Sequence, residues 1–354
     1  MANKRKKTPT IKDVAKLAGV SIATVSRVLN NLGVVNPDTQ QKVLDAVALL
    51  NYQPNAVARS LKLAKTKSIG VLLPEISNNF FTQIVEQLEQ LLSPKGYALL
   101  VCSSENSIEE EQRKFAFLLE RSVDGLVVVP VSDVGDHFAD STVPLVMLDR
   151  KISGLQRDVV ISDNYQSAFE ITNALIAEGR TRIGFLGGDP HVHTSVERYR
   201  GFVDALKSND LSVDPRFVLH RGMTMKSGYT LMEQALSLPD YPNAFFVVND
   251  MVHIGATLYL TSHAPPEVRR EIVFAAFDYL YYAPLLRYCR YAAAQPIEEM
   301  ANSAVLLLTR RLEGDTEDFP STQVFKPTTV VMANGRADAE EHLSHPPRFE
   351  KEFS

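Results

Sequence analysis

The stretch from Thr10 to Asn30 constrains this chain more than any other, because its apolar residues fit two short helices meeting at one corner. Ile11, Val14, Ala15 and Ala18 fall at i, i+3, i+4 and i+7, the spacing of one buried helix face. Thr10 with Asp13 three residues on matches an N-terminal capping pair. Gly19 supplies the break and Val20 plugs the corner, while Ser21 caps a second helix whose inward residues are Val25, Val28 and Leu29. The pattern is a helix-turn-helix. Asn36-Pro37 then reads as a third helix start, Asn36 the cap and Pro37 the first position, with Val43, Leu44, Val47 and Leu50 as the apolar face that closes a three-helix head.

Left outside at the front of the second helix are Ile22, Ala23 and, one turn on, Arg27, the positions at which such a helix meets base edges. Arg27 suits bidentate contact with a guanine, and Ile22 and Ala23 offer apolar contact, for example to a thymine methyl. Ser21, Thr24, Ser26 and Asn30 carry short hydroxyl or amide groups suited to phosphates, which set register without reading sequence. Charge agrees with a polyanion partner at this end alone. Up to Lys65 there are eleven Lys and Arg against three Asp, in a chain whose net charge is -5.

At 354 residues the chain is long enough for two or three domains. No apolar run approaches the ~20 residues of a membrane span, and the polar, basic N-terminus does not resemble a signal peptide, so a cytoplasmic location is expected. Cys102 and Cys289 lie far apart without the paired spacing of a zinc site; they read as packing thiols, and no metal or cofactor is expected. Residues 1–9 form a basic arm, and 10–53 the head. The segment 54–66 reads as linker plus a short helix, Ala56 to Leu63, too short to be stable alone in water.

From Ser68 the rhythm changes to apolar runs alternating with amphipathic helices. The runs are Ser68 to Leu73, Ala98 to Cys102, Gly125 to Val129, Leu145 to Leu148, Ile183 to Gly187, Ala244 to Val248 and Ile272 to Ala276. Apolar strands alternating with helices imply parallel sheets covered on both faces. There are too many for one sheet, and the pattern pauses near Ile161 to Asp163, so two doubly wound α/β subdomains are expected: about 67–161 with 296–323, and 162–295 with 324–340. Ligands of such sheets bind beyond the carboxyl ends of strands. The residues there include Asn78, Asn79, Phe80, Phe81, Asp149, Arg150, Asn249, Asp250 and Asp278. Carboxylates, amides and aromatic rings together suit a polyhydroxylated ligand, a sugar or nucleoside.

Ile11-Lys12-Asp13-Val14-Ala15, Gly19-Val20-Ser21 and Thr24 to Asn30, followed by Tyr52-Gln53-Pro54-Asn55-Ala56-Val57-Ala58-Arg59-Ser60-Leu61, resemble the lactose-repressor (LacI/GalR) family of bacterial transcriptional regulators. The resemblance runs on through Lys67 to Gly70, Val123 to Leu126, Arg182 to Gly188, Arg198 to Phe202 and Gln295-Pro296, covering nearly the whole chain. It implies a homodimeric repressor that binds a palindromic DNA operator, with a periplasmic-binding-protein-like core holding a small, sugar-like effector. Ala56 to Leu63 would be a hinge helix, with Leu61 wedged into a central minor-groove step beside Arg59 and Lys62. Tyr52 and Asn55 complete the set expected at DNA. For the effector, the family pattern falls on Phe80, Phe81, Asp149, Arg198, Asn249, Asp278 and Gln295.

The chain departs from the family pattern at Ala275-Ala276-Phe277-Asp278, where a glycine usually precedes the aromatic-Asp pair, and at Tyr279, which replaces an Asp or Asn. Tyr279, Tyr281, Tyr282, Tyr288 and Tyr291 cluster beyond it and read as packing. The tail 341–354 has no leucine heptads, which favours a dimer over a coiled-coil tetramer. An enzyme is not expected, for there is no phosphate-binding Gly-Lys-Ser/Thr loop, no His-Glu-x-x-His and no nucleophile elbow. The pair His191 and His193 reads as a polar loop. Two alternatives stay open: control by a partner protein, and a sugar-binding protein without a DNA role.

Overall fold

A computed structural model describes residues 9–29, 35–52, 65–279, 283, 288–333 and 336–337. Residues 1–8 of the basic arm, the hinge segment Ala56 to Leu63, Tyr281, Tyr282 and the tail lie outside the described residues. The chain divides into two compact units, Met1–Thr66 and Lys67–Ser354.

In the first unit α1 (Ile11–Ala18), α2 (Ile22–Leu29) and α3 (Pro37–Leu50) enclose a small core of Val14, Ala15, Val25, Val28, Val43 and Ala46. The Asp13 carboxylate accepts the Thr10 backbone N–H at 2.8 Å and the Thr10 hydroxyl at 2.7 Å. Gly19 ends α1 in the left-handed region, φ 66°, which costs a glycine little. Ser21 Oγ accepts the Thr24 N–H, and Asn36 Oδ1 accepts the Asp38 N–H with Pro37 in the first turn of α3. One face differs from the expectation. Leu44 is 43% exposed, and Ala46 takes the buried place, so α3 packs through Val43, Ala46, Val47 and Leu50. The small Ala46 fits the close approach that a three-helix head of this size requires.

The second unit holds two sheets. The first, in the order β11-β5-β4-β3-β1-β2, contains β1 (Ser68–Leu73), β2 (Ala98–Ser103), β3 (Gly125–Val128), β4 (Leu145–Leu148), β5 (Asp158–Ser162) and β11 (Thr322–Phe325), all parallel. The second runs β13-β12-β10-β9-β8-β6-β7, from β6 (Ile183–Gly187), β7 (Val218–His220), β8 (Ala244–Val247), β9 (Val273–Phe277), β10 (Cys289–Ala294), β12 (Thr328–Ala333) and β13 (Arg336–Ala337). Its first five strands in chain order are parallel, and β12 joins β10 antiparallel. Each sheet has a core on both faces, as the continuous apolar runs require.

The chain passes between sheets three times: after Ser162, at Gln295-Pro296, and at Lys326-Pro327. These crossings correct two expected boundaries. Ser162 is still the last residue of β5, and β11 runs to Phe325, whose half-buried ring packs on the first subdomain's core, so 323 falls inside a strand. Among the described residues no helix is long and apolar enough to cross a membrane.

Candidate functional site

On α2, Ser21, Ile22, Ala23 and Arg27 are exposed and Thr24 and Ser26 half-buried. Ile22, 44% exposed, is an apolar side chain held in water at the front of a helix. The Ser21 hydroxyl is already engaged, lying 2.9 Å from Thr24 Oγ1 while capping the helix. Tyr52 packs partly against the head's core. Asn30, Asn55, Arg59, Leu61 and Lys62 lie outside the described residues.

In the second unit Phe80, Phe81, Asp149, Arg198, Asn249, Asp278 and Gln295 line one cavity between the two subdomains. Asp149 follows β4, Asn249 follows β8 by one residue more, Asp278 follows β9 and Gln295 follows β10, so strand ends deliver four of the seven. The helix Asn79–Leu92 brings Phe80 and Phe81, 5.4 Å apart edge to face, and the helix His193–Ser208 brings Arg198. Both aspartates hold left-handed backbone, φ 64° at Asp149 and 71° at Asp278, an uncommon conformation that aspartate tolerates better than most side chains. The cavity encloses only about 20 Å³, well short of the ~300–1,000 Å³ usual for ligand pockets. A space of this size is too small to hold a sugar ring.

Arg198 is 3% exposed, so its charge is buried instead of lying on the helix surface. Its Nε donates to Asn164 Oδ1 at 2.7 Å and its Nη1 to the Val248 carbonyl at 2.6 Å, and the guanidinium stands 3.6 Å above the Phe277 ring. Held by neutral partners, its charge acts at longer range on the buried carboxylates. Burial pushes the Asp149 carboxyl up to about 6; the Arg150 and Arg198 guanidinium groups pull against that, and the Asp278 charge adds to it. Burial also raises Asp278, opposed first by Arg198. Asp149 Oδ1 is buried with no hydrogen-bond partner, and Oδ2 lies 3.6 Å from Arg150 Nε. Asp278 Oδ1 accepts the Gln295 Nε2–H at 2.6 Å, and the Ser162 hydroxyl donates to Gln295 Oε1 at 2.5 Å.

Asn249 has a second, structural employment. Its Oδ1 caps the helix Asp250–His263 through the Val252 N–H, and its Nδ2 donates to the Met223 carbonyl. Asn78 and Arg150, both among the strand-end residues picked out above, also line the cavity, and so do Thr194 and Met223, which sequence reasoning missed. Arg150 had a signal in its place beside Asp149. Met223, beyond β7, had none, because β7 itself is a three-residue strand with no distinctive pattern. Tyr279 and Tyr288 pack against one core of the second subdomain and Tyr291 against the other, its hydroxyl donating to Glu178 Oε1 at 2.7 Å.

Residues 10–55 match the family model for bacterial regulatory proteins of the lacI family, and residues 66–280 match that for periplasmic binding proteins and the sugar binding domain of the LacI family. The HTH-type transcriptional regulator RegA of Clostridium saccharobutylicum is 34% identical over 317 residues, spanning 88% of this chain and 95% of that protein. Among solved structures, the lac repressor dimer bound to operator and the anti-inducer ONPF superposes with a TM-score of 0.79 at 25% identity, covering 91% of this chain and 98% of that one. A complex of the transcriptional regulator CelR with cellobiose gives a TM-score of 0.67 at 26% identity, with the same coverage.

Proposed function

This chain belongs to the LacI family of bacterial regulatory proteins, and we propose that it is a sequence-specific transcriptional repressor that binds a palindromic operator as a homodimer and answers to a small, sugar-like effector. Such a regulator acts in the cytoplasm, beside its operator. The reading rests above all on the seven strand-end and helix residues that converge on one buried cleft, with an unpartnered carboxylate oxygen on Asp149 and a buried guanidinium on Arg198.

In this reading Asp149 and Asp278 accept hydrogen bonds from ligand hydroxyls, Arg198 donates to an oxygen pair, and Phe80 and Phe81 meet the C–H face of the ring. A ligand hydroxyl on Asp149 Oδ1 would satisfy a buried acceptor whose unmet state costs ~1–3 kcal/mol. Ile22, Ala23 and Arg27 read base edges, Ser21, Thr24, Ser26 and Asn30 hold phosphates, and Tyr52, Asn55, Arg59, Leu61 and Lys62 act around the hinge and the minor groove.

The three crossings are the hinge. Ligand changes the angle between subdomains about Ser162, Gln295 and Lys326, which alters the spacing of the paired hinge segments in a dimer. A differential affinity of this kind is typically worth ~1–3 kcal/mol. Selection of purified protein on a random duplex library, repeated with sugars added, tests the scheme. Recovery of one palindrome whose retention changes with a sugar supports it. No enriched sequence with or without sugars removes the DNA-reading role, and an enriched palindrome that no small molecule affects points to control by a partner protein.

A further inference from the structure

Glu111, in the first turn of the helix Ile108–Glu120, is completely buried and yet does not line the cleft. A buried carboxylate is costly unless it is hydrogen-bonded or paired, so its partners show what it holds. Oε2 accepts the Val131 N–H at 2.7 Å. Oε1 has His137 Nε2 at 3.2 Å, outside hydrogen-bond geometry.

The other end of the same peptide belongs to Arg150, whose Nη1 donates to the Pro130 carbonyl at 3.0 Å. In a trans peptide the C=O and the N–H point to opposite sides, so the Pro130–Val131 unit stands between the two side chains, its oxygen toward the cation and its N–H toward the carboxylate. Each charge meets the complementary end of one peptide dipole, and together they fix which way that peptide faces. Residues 131–134 run on from it to line a further cavity of about 1020 Å³, with Lys151 and His193.

The consequence lies at Asp149. Arg150 Nε is buried without a hydrogen bond, 3.6 Å from Asp149 Oδ2 and just beyond hydrogen-bond reach. The guanidinium is anchored on the peptide and not on the carboxylate beside it, and Asp149 Oδ1 is left without a partner. Burial pulls the Arg150 guanidinium down, opposed by Asp149 and then by Glu111, Glu75 and Asp189. On its far side, burial and then the charges of Lys151, Arg198 and Arg150 hold the His193 imidazole down at about 4 against the pull of Asp133.

We propose that Glu111 is a positioning residue of the effector site: through the Pro130–Val131 peptide it keeps Arg150 turned away from Asp149, so that the Asp149 carboxylate stays open to a ligand hydroxyl. The proposal rests on the reading of Asp149 as an effector acceptor given above. Without Glu111 the peptide N–H loses its acceptor and the peptide is free to turn. Arg150 then closes on Asp149 as a charge-assisted, bidentate pair, and the site is filled from within.

Carbon-13 NMR of the aspartate carboxyls in the full-length protein tests it, with Asp149→Asn to assign the signal. The titration is followed with no ligand present, so its result does not depend on which effector the cleft takes. In the wild type the Asp149 midpoint stands at about 6. Glu111→Leu should bring it to about 5 or below, the direction in which a paired guanidinium moves a carboxyl. Glu111→Gln, whose amide oxygen can still accept the Val131 N–H, should hold it near the wild-type value. A folded Glu111→Leu protein in which Asp149 titrates as in the wild type overturns the proposal, and so does an equal fall in the Leu and Gln variants. Should Glu111→Leu misfold, Arg150→Met carries the test: a guanidinium held off Asp149 should change its proton affinity by less than about tenfold, and a larger rise would mean that the two are already paired. If the titrations come out as expected and no small molecule binds, the effector reading falls and the placement of Arg150 stands.

Discussion

Asp149 and Asp278 occupy the same place in two different sheets. Each follows directly on a strand, β4 or β9, each has a left-handed backbone, and each donates its N–H to the next strand of its sheet, Asp149 to the Val160 carbonyl at 2.9 Å and Asp278 to the Ala293 carbonyl at 3.0 Å. Two subdomains of like topology thus present a matched pair of buried carboxylates to one cleft.

Asp149→Asn should stabilise the ligand-free protein and abolish effector binding. The folded-state carboxyl is raised from 3.8 to about 6, so burying its charge costs nothing below the lower value and the full penalty above the higher. Urea melts should show a gain near zero at pH 4, growing to about 2–3 kcal/mol by pH 7.5. A gain independent of pH would remove the buried charge as its cause.

For His193 the sign is opposite. Its folded-state value is depressed from 6.5 to about 4, so the stability it confers is present above the unfolded value and lost as pH falls through that window. His193→Gln should flatten this loss between pH 6.5 and 4. Identical acid profiles for the variant and the wild type would dismiss the effect.

Ser162, Gln295 and Asp278 form a relay from the end of β5 to the floor of the cleft. Gln295→Leu removes the side-chain donor of a buried carboxylate, leaving it only the Asp250 backbone N–H, and should cost about 1–3 kcal/mol. Combined with Ser162→Ala, its effect should be non-additive by ~0.5–3 kcal/mol in a double-mutant cycle. Simple additivity would mean that the two bonds act separately.

Gly255 and Gly228 let the helices Met225–Ser237 and Asp250–His263 touch backbone to backbone. A Cβ at Gly255 would lie 1.9 Å from the Met225 carbonyl oxygen, and one at Gly228 2.1 Å from that of Val252. Gly255→Ala should therefore destabilise by about 1–3 kcal/mol or more through overpacking. Gly222→Ala, whose new methyl would meet only Ser227 Oγ at 3.5 Å, should shift the thermal midpoint little. Equal behaviour of the two would contradict the close approach.

Arg27→Ala should relax base preference at one position in each half-site, a loss of about 1–3 kcal/mol there, and leave the rest of the operator intact. Competition binding against single-base operator variants measures it. An unchanged preference would exclude Arg27 from the base-reading set.

Sequence patterns reached most of this architecture unevenly. β1, β4 and β6 are unbroken apolar runs, and their limits were legible to the residue. β5 was missed because it begins with a charge. Asp158 is buried there because Arg311, 153 residues on, donates to both its oxygens. β11 and β12, with Val324 56% and Val331 44% exposed, lack the buried alternation that marks a strand. In the cleft, carboxylates at strand ends announce themselves, whereas Thr194 and Met223 join only through the fold. Asn249 could not be resolved by type, because the same amide that faces the cleft also caps a helix.

Three crossings are an odd number, and parity has a practical result. The core opens with β1 in one subdomain and reaches β12 in the other, so Ser68 and Ala333 stand on the two bodies that the proposed closure would move against each other. Fluorophores attached near those two residues would turn every opening of the cleft into a change of length along a single polypeptide. The chain is threaded as a caliper, with its jaws at opposite ends of the core.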